Sequence, residues 1–214
     1  KALPPHGQPE KETGKMKKTL GLGALISALG TSMPLQAMPY DTPDTWGGDL
    51  ESRARLTGNW GGARDDMAKK GVVLDMDVYW MPQKITSGGR DSASGDWGNA
   101  ILTLNVDTQK LGLWPGGFFK LQTVTSFGDT LLKETGAIVP ANLSWMLPTI
   151  TPDTGVQEIT YTQFLSQHFG VFLGKINAIA PTNVLHGDYT TGFQNTSINM
   201  HLAHAMVPLL AYGI

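Results

Sequence analysis

Between Val72 and Asn177 the chain keeps returning to one pattern, runs of about ten residues in which apolar and polar side chains alternate. Successive side chains of an extended strand point to opposite sides, so a period of two gives one apolar and one polar face. In the first run Val72, Leu74, Met76, Val78 and Trp80 oppose Val73, Asp75, Asp77, Tyr79 and Gln83. After a turn-rich Ser87–Gly95, Ala100, Leu102, Leu104 and Val106 oppose Thr103, Asn105, Asp107 and Gln109. A third run sets Phe119, Leu121, Thr123 and Phe127 against Lys120, Gln122 and Ser126. A fourth sets Ile159, Tyr161 and Leu165 against Glu158, Thr160 and Thr162, with Gln163 interrupting its apolar side. His168–Asn177 reads as a fifth strand, although Phe172, Leu173 and Ile176 leave its facing open, and Met206–Ile214 reads as the approach to another.

Such strands suit two architectures. A soluble antiparallel sandwich buries the apolar face and wets the other. A transmembrane β-barrel turns the apolar face to lipid and the polar face to a lumen, with strands of about 9–11 residues. Alternation is common to both. Strand length near ten, against a usual ~5–6, favours the barrel, as do aromatics near strand ends (Trp80, Trp97, Trp114, Phe127) and the alternation of short with long connections. The longest, Asp129–Gly155, holds Pro140, Pro148 and Pro152 with a short helix expected at Asn142–Met146; loops of that length are commonly functional.

Composition narrows the field. Charged residues make up 16% of the 214, against roughly 25% in soluble domains. A mean hydropathy of -0.12 excludes a polytopic helical membrane protein. The net charge of -2 gives no reason to expect a nucleic-acid partner. Without cysteine there is no disulfide scaffold and no cysteine-ligated metal.

The residues before the first strand look like delivery equipment. Met16-Lys17-Lys18, an apolar run over Thr19–Gly30 and a Pro34-containing segment ending at Ala37 have the parts of a secretory signal peptide. Residues 16–37 are so assigned, and 1–15 are an upstream extension outside the mature protein. Residues 38–71 form an N-terminal lead, with a turn near Glu51–Leu56 and a short helix over Gly61–Lys70. Asp65 and Asp66 open that helix and Lys69 and Lys70 close it, as the helix dipole favours, and Gly71 stops it. Residues 72–214 carry the strands.

Leu56-Thr-Gly-Asn-Trp-Gly-Gly-Ala-Arg64, the helix, Gly71 and Val-Val-Leu-Asp-Met-Asp resemble the start of the carbohydrate-selective porins of the OprB family. Leu111-Gly-Leu-Trp-Pro-Gly-Gly-Phe resembles that family's connection between its second and third strands. Thr162-Gln-Phe-Leu-Ser, Phe172-Leu-Gly-Lys-Ile-Asn and Gly192-Phe-Gln-Asn-Thr follow in the family's order. The resemblance implies an all-β fold, an antiparallel transmembrane barrel of about sixteen strands in the full protein. Roughly the first 5–7 would lie in this chain, after a signal peptide and a short periplasmic helix. It implies an outer-membrane channel, monomer or homotrimer, through which mono- or oligosaccharides diffuse passively, with outer-membrane lipid around it, no cofactor and no enzymatic activity. Sixteen strands would need well over ~300 residues, so the chain is expected to be the first third to half of the barrel.

On the barrel reading the lumen-facing candidates are Asp75, Asp77, Tyr79, Asn105, Asp107, Lys120, Gln122 and Glu158. A sugar exchanges its water hydrogen bonds for those of amides, hydroxyls, carboxylates and amines, which suits a mixed polar wall. Any one of them also fits as mere lining of a wet interior. Lys175 would reach the lumen only if its strand faced the other way. Asp75 and Asp77, two apart on one strand, lack the opposed placement of a glycosidase pair. His201 and His204 have no third ligand in reach for zinc, so no metal is expected. Asn142-Leu-Ser and Asn195-Thr-Ser match the glycosylation pattern and carry little weight. The alternative from another class is a secreted or periplasmic β-sandwich that binds carbohydrate, in which Leu102, Leu104 and Val106 would pack in a core.

Overall fold

A computed structural model of the chain describes Tyr40, residues 42–177, Asn195 and Thr196, and the backbone of 210–213. The signal peptide, the upstream extension and the histidine pair lie outside the described residues.

Six strands form one antiparallel sheet in chain order. They are β1 Val72–Lys84, β2 Ser94–Asp107, β3 Gly117–Gly128, β4 Thr154–Phe164, β5 Gly170–Asn177 and β6 Leu210–Gly213. Each pairs with its neighbour in sequence, and the sheet does not close on itself. A 3-10 turn at Trp60–Gly62 leads into helix α1, Ala63–Lys69. Gly71 then takes a φ of 91°, and a side chain there would strike the Asp107 carbonyl. That left-handed residue lets the chain leave the helix and enter β1 at once.

The two faces are inverted relative to a soluble sheet. Met76, Val78 and Trp80 are 62%, 59% and 59% exposed, whereas Asn99 is 0% and Gln157 1% exposed on the opposite face. The register continues the apolar face through Leu102, Leu121 and Ile159 to Leu173. No second sheet covers it among the described residues, so Leu102, Leu104 and Val106 are not packed in a sandwich core. Aromatics bound this face at both ends. At one end Trp80 and Phe127 flank Gly98 in a single cross-strand row, and Trp80 Nε1 donates to Asp96 at 2.8 Å. A side chain at Gly98 would meet the Phe127 ring at 2.2 Å, so the ring lies in the space the glycine leaves. At the other end Trp114 Nε1 donates to the Tyr161 hydroxyl at 2.7 Å. From Gly117 to Phe127 the strand runs roughly 33 Å at ~3.3 Å per residue. Tilted by about 40°, it rises ~25 Å, the height of the apolar band of an outer-membrane barrel.

Three strand-level expectations change. β2 begins at Ser94 instead of after the turn, because Gly95 and Gly98 hide its alternation. Trp97 is out of phase with Ala100 and Leu102, so it is fully buried on the polar side and belongs to no outer belt. Leu165 lies in the turn after β4, where its amide bonds the Phe169 carbonyl.

Residues 129–153 fold back onto the polar face. They contain a helical turn, α2, Leu132–Thr135, and a 3-10 turn at Leu143–Met146. The Asn142 side chain caps the latter by accepting from the Ser144 amide at 2.9 Å. Leu143 and Leu147 pack with Ile101, Val124 and Tyr79. Leu131 and Trp145 pack with Trp97 and Met81. Two buried side chains pin the turn, Trp97 Nε1 donating to the Ser144 carbonyl at 3.0 Å and Asn99 Nδ2 to the Leu147 carbonyl at 2.7 Å. Residues 195 and 196 join this loop, the Thr196 amide donating to the Ala141 carbonyl at 3.1 Å.

Candidate functional site

All eight candidates share the face opposite the exposed apolar band. Strand pairing sets Asn105 beside Lys120, which pairs Thr160. The next inward row holds Asp75, Thr103, Gln122 and Glu158. Asp77 and Tyr79 belong to rows nearer the folded-back loop, and Asp107 sits at the turn end. The loop covers the half of the face around Ile101, Val124 and Trp97. The half around Asn105, Lys120 and Glu158 carries the polar cleft.

Asp75 and Asp77 are neutralised by two arginines of the N-terminal lead. Arg55 Nε lies 3.2 Å from Asp75, a second Arg55 nitrogen contacts Asp77, and Arg64 pairs with Asp75. Arg64 also donates to the Leu74 carbonyl at 3.0 Å. Its guanidinium lies 4.9 Å from the Trp46 ring and 5.1 Å from the Trp60 ring, a cation held between two aromatic faces. Burial pulls its pKa below the ordinary arginine value, with Asp75 pulling back. Starting from ~12.5 or higher, it stays charged. Asp65 of α1 ties the lead down by accepting from the Trp46 amide at 3.0 Å, Thr45 Oγ1 at 2.9 Å and Asn59 Nδ2 at 3.2 Å. The Trp46 amide above all, with the Thr45 and Asn59 side chains, holds its carboxyl below the usual range. Two carboxylates on one strand, both engaged by arginine, do not form a hydrolytic pair.

Asn105, Lys120 and Glu158 line a cleft of about 150 Å³ with Thr160, Thr162 and the lead residue Tyr40. Lys120 Nζ lies 2.8 Å from Glu158, and Thr160 Oγ1 donates to Glu158 at 3.3 Å. Beside them Gln122 Nε2 donates to Thr103 Oγ1 at 3.1 Å. One wall is aromatic: Tyr40 meets Phe118 edge-on at 6.5 Å, and Phe118 meets Phe164 at 5.8 Å. Burial, and then Asp107, push the Tyr40 phenol up to about 12. Its hydroxyl is buried and makes no hydrogen bond to any described residue.

The other two candidates have structural work. Asp107 accepts from the Gln109 and Lys110 amides at 2.9 and 3.1 Å and so caps the β2–β3 turn. Tyr79 packs into the cluster under the loop. Lys175 pairs with Ile159 on the apolar side, and its amine reaches the Val156 carbonyl. That carbonyl adjoins the bulge where Gln157 is the extra residue of β4.

The antiparallel meander that carries these residues has a solved counterpart. The chain superposes on the high-pH structure of Pseudomonas putida OprB with a TM-score of 0.53 and 22% identity, over 65% of this chain. The fold is that of OprB. The chain spans about a third of it, 34% of the OprB chain. OprB and the ordered motif series thus point to the same β-barrel architecture, of which these strands form an open part. No family model and no curated protein matches the chain.

Arg55, Arg64, Tyr40 and the threonines of the cleft were not among the sequence candidates. Arg55 and Arg64 had a signal in charge alone, two cations just ahead of a strand whose polar side begins with two aspartates. Tyr40 had none, since it lies in the Pro- and Asp-rich lead.

Proposed function

We propose that the chain forms part of the wall of an outer-membrane porin through which neutral sugars diffuse into the periplasm. The observation that carries this is the inversion of the sheet, with Met76, Val78 and Trp80 turned out and Asn99, Asn105 and Glu158 turned in. Exposed apolar side chains in a continuous sheet face are at home against lipid. The polar face presents paired charges: Arg55 and Arg64 answer Asp75 and Asp77, and Lys120 answers Glu158. A wall without large unpaired charge neither traps nor repels a neutral polyol, while its hydroxyls and amides replace the water that the sugar gives up. The loop folded onto this face narrows the path. Sugar as the solute rests on the motif series, and export rests on the signal-peptide pattern of residues 16–37. Lys120, Gln122, Asn105 and Glu158 would line the path directly, and Asp75 and Asp77 would do so through their arginine partners.

The test is made on the whole protein that carries this chain. Membrane fractionation should place it in the detergent-extracted outer membrane, and planar bilayers should show conductance that sugars reduce. A product soluble without detergent overturns the porin reading and restores the carbohydrate-binding sandwich. Conductance indifferent to sugars leaves a general porin.

A further inference from the structure

We propose that the cleft between Tyr40 and the Asn105–Lys120–Glu158–Thr160 wall is a subsite for one pyranose ring of a passing sugar, a claim that rests on the porin reading. A pyranose presents a C–H face that prefers an aromatic surface and a rim of hydroxyls that both donate and accept. The cleft supplies both in one place: the rings of Tyr40 and Phe118, and beside them an amide, an ammonium, a carboxylate and two hydroxyls. Its volume of about 150 Å³ is that of a single sugar ring rather than a disaccharide. Lys120 and Glu158 are bonded to each other, so the wall holds no net charge that would select an ion over a neutral solute. Asp75 and Asp77, by contrast, are taken up by Arg55 and Arg64.

The Tyr40 hydroxyl singles out this cleft. It is buried in a residue that lines the cleft, yet it bonds to no described residue. A buried hydroxyl left unpaired is unfavourable, and a sugar hydroxyl entering the cleft would pair it. Removing it therefore has opposite effects on stability and on solute binding.

The whole protein, reconstituted in planar bilayers, is titrated with D-glucose and with sorbitol, an open-chain polyol of similar hydrogen-bonding capacity. The wild type should be blocked by glucose at several-fold lower concentration than by sorbitol. Tyr40→Phe should keep or raise thermal stability while weakening glucose block about fivefold, one hydrogen bond's worth. Thr160→Val, which keeps shape, should weaken it similarly, and Lys120→Met with Glu158→Gln by more. If glucose blocks the wild type and all these variants equally, the subsite is wrong and the porin reading stands. If glucose does not block the wild type, the subsite falls together with sugar as the solute, and a general porin remains. If Tyr40→Phe loses stability together with glucose block, the hydroxyl holds the fold and the proposal is overturned.

Discussion

Asp65 holds three hydrogen bonds that join the lead to α1, and its pKa is lowered in consequence. A carboxylate whose pKa is lower folded than unfolded stabilises the fold above its unfolded value of about 3.9, and that contribution is lost as pH falls through the folded value. The lead should therefore stay docked from neutrality down to about pH 4 and loosen only in stronger acid. Trp46, whose amide Asp65 holds, reports the change. Its fluorescence should shift only below about pH 4, and Asp65→Asn should remove that step; a shift already complete at pH 6 would contradict the assignment. Residues of this kind were hard to find in the sequence. The phase of Asp75, Asp77 and Lys120 is legible because strand geometry fixes it. The partners of those side chains are not, since Arg55, Arg64 and Tyr40 arrive from a segment without periodicity. Lys175 shows the same limit, because Phe172, Leu173 and Ile176 are apolar on both sides of its strand and leave no phase to read.

At the level of elements, the loop over 129–153 is held by buried apolar contacts and two side-chain hydrogen bonds to its backbone. Trp145 fills the space against Trp97 and Leu131. Replacing a buried tryptophan by alanine typically removes about 3–5 kcal/mol, enough to release a loop from a wall that stays intact. Trp145→Ala should raise single-channel conductance and admit larger solutes, with the barrel still resistant to unfolding in detergent. Unchanged conductance and size limit would mean that the loop does not bound the path. The sequence marks this segment as long and proline-rich and foretells a short helix at Asn142–Met146, which forms as a 3-10 turn over Leu143–Met146, but its inward fold is a tertiary choice. Leu143, Trp145 and Leu147 have no period that names their partner. The first residues of β2 were obscured for a different reason, since glycine contributes no side chain to either face and Gly95 and Gly98 erase the alternation there.

For the molecule as a whole, alternation foretold a sheet and left open which face turns outward, because a period of two is symmetric under exchange of inside and outside. Exposure separates the two cases. Lipids carrying bromine at the headgroup end of the chain should quench single-tryptophan proteins retaining Trp80 or Trp114. They should leave those retaining Trp97 or Trp145 bright, since the first pair lies exposed at the ends of the apolar band and the second is buried where the loop packs on the polar face. Strong quenching of Trp97 would place the wrong face in lipid.

Because every strand of this meander pairs with its immediate neighbour in the chain, the sheet can grow by adding one hairpin at a time. Pairing neighbours in the chain keeps each closure local, and for the connections β1–β2, β2–β3 and β4–β5 the stretch closed is short, where the entropic penalty is least and contact formation is fast. During that growth the outer edge of β1 has no strand beside it and is open to pairing with another molecule. The lead lies against this strand, anchored by Arg64 on the Leu74 carbonyl and Asp75. An arginine placed between two tryptophans thus guards the starting edge while the rest of the wall assembles, and its loss would be felt first as aggregation during biogenesis.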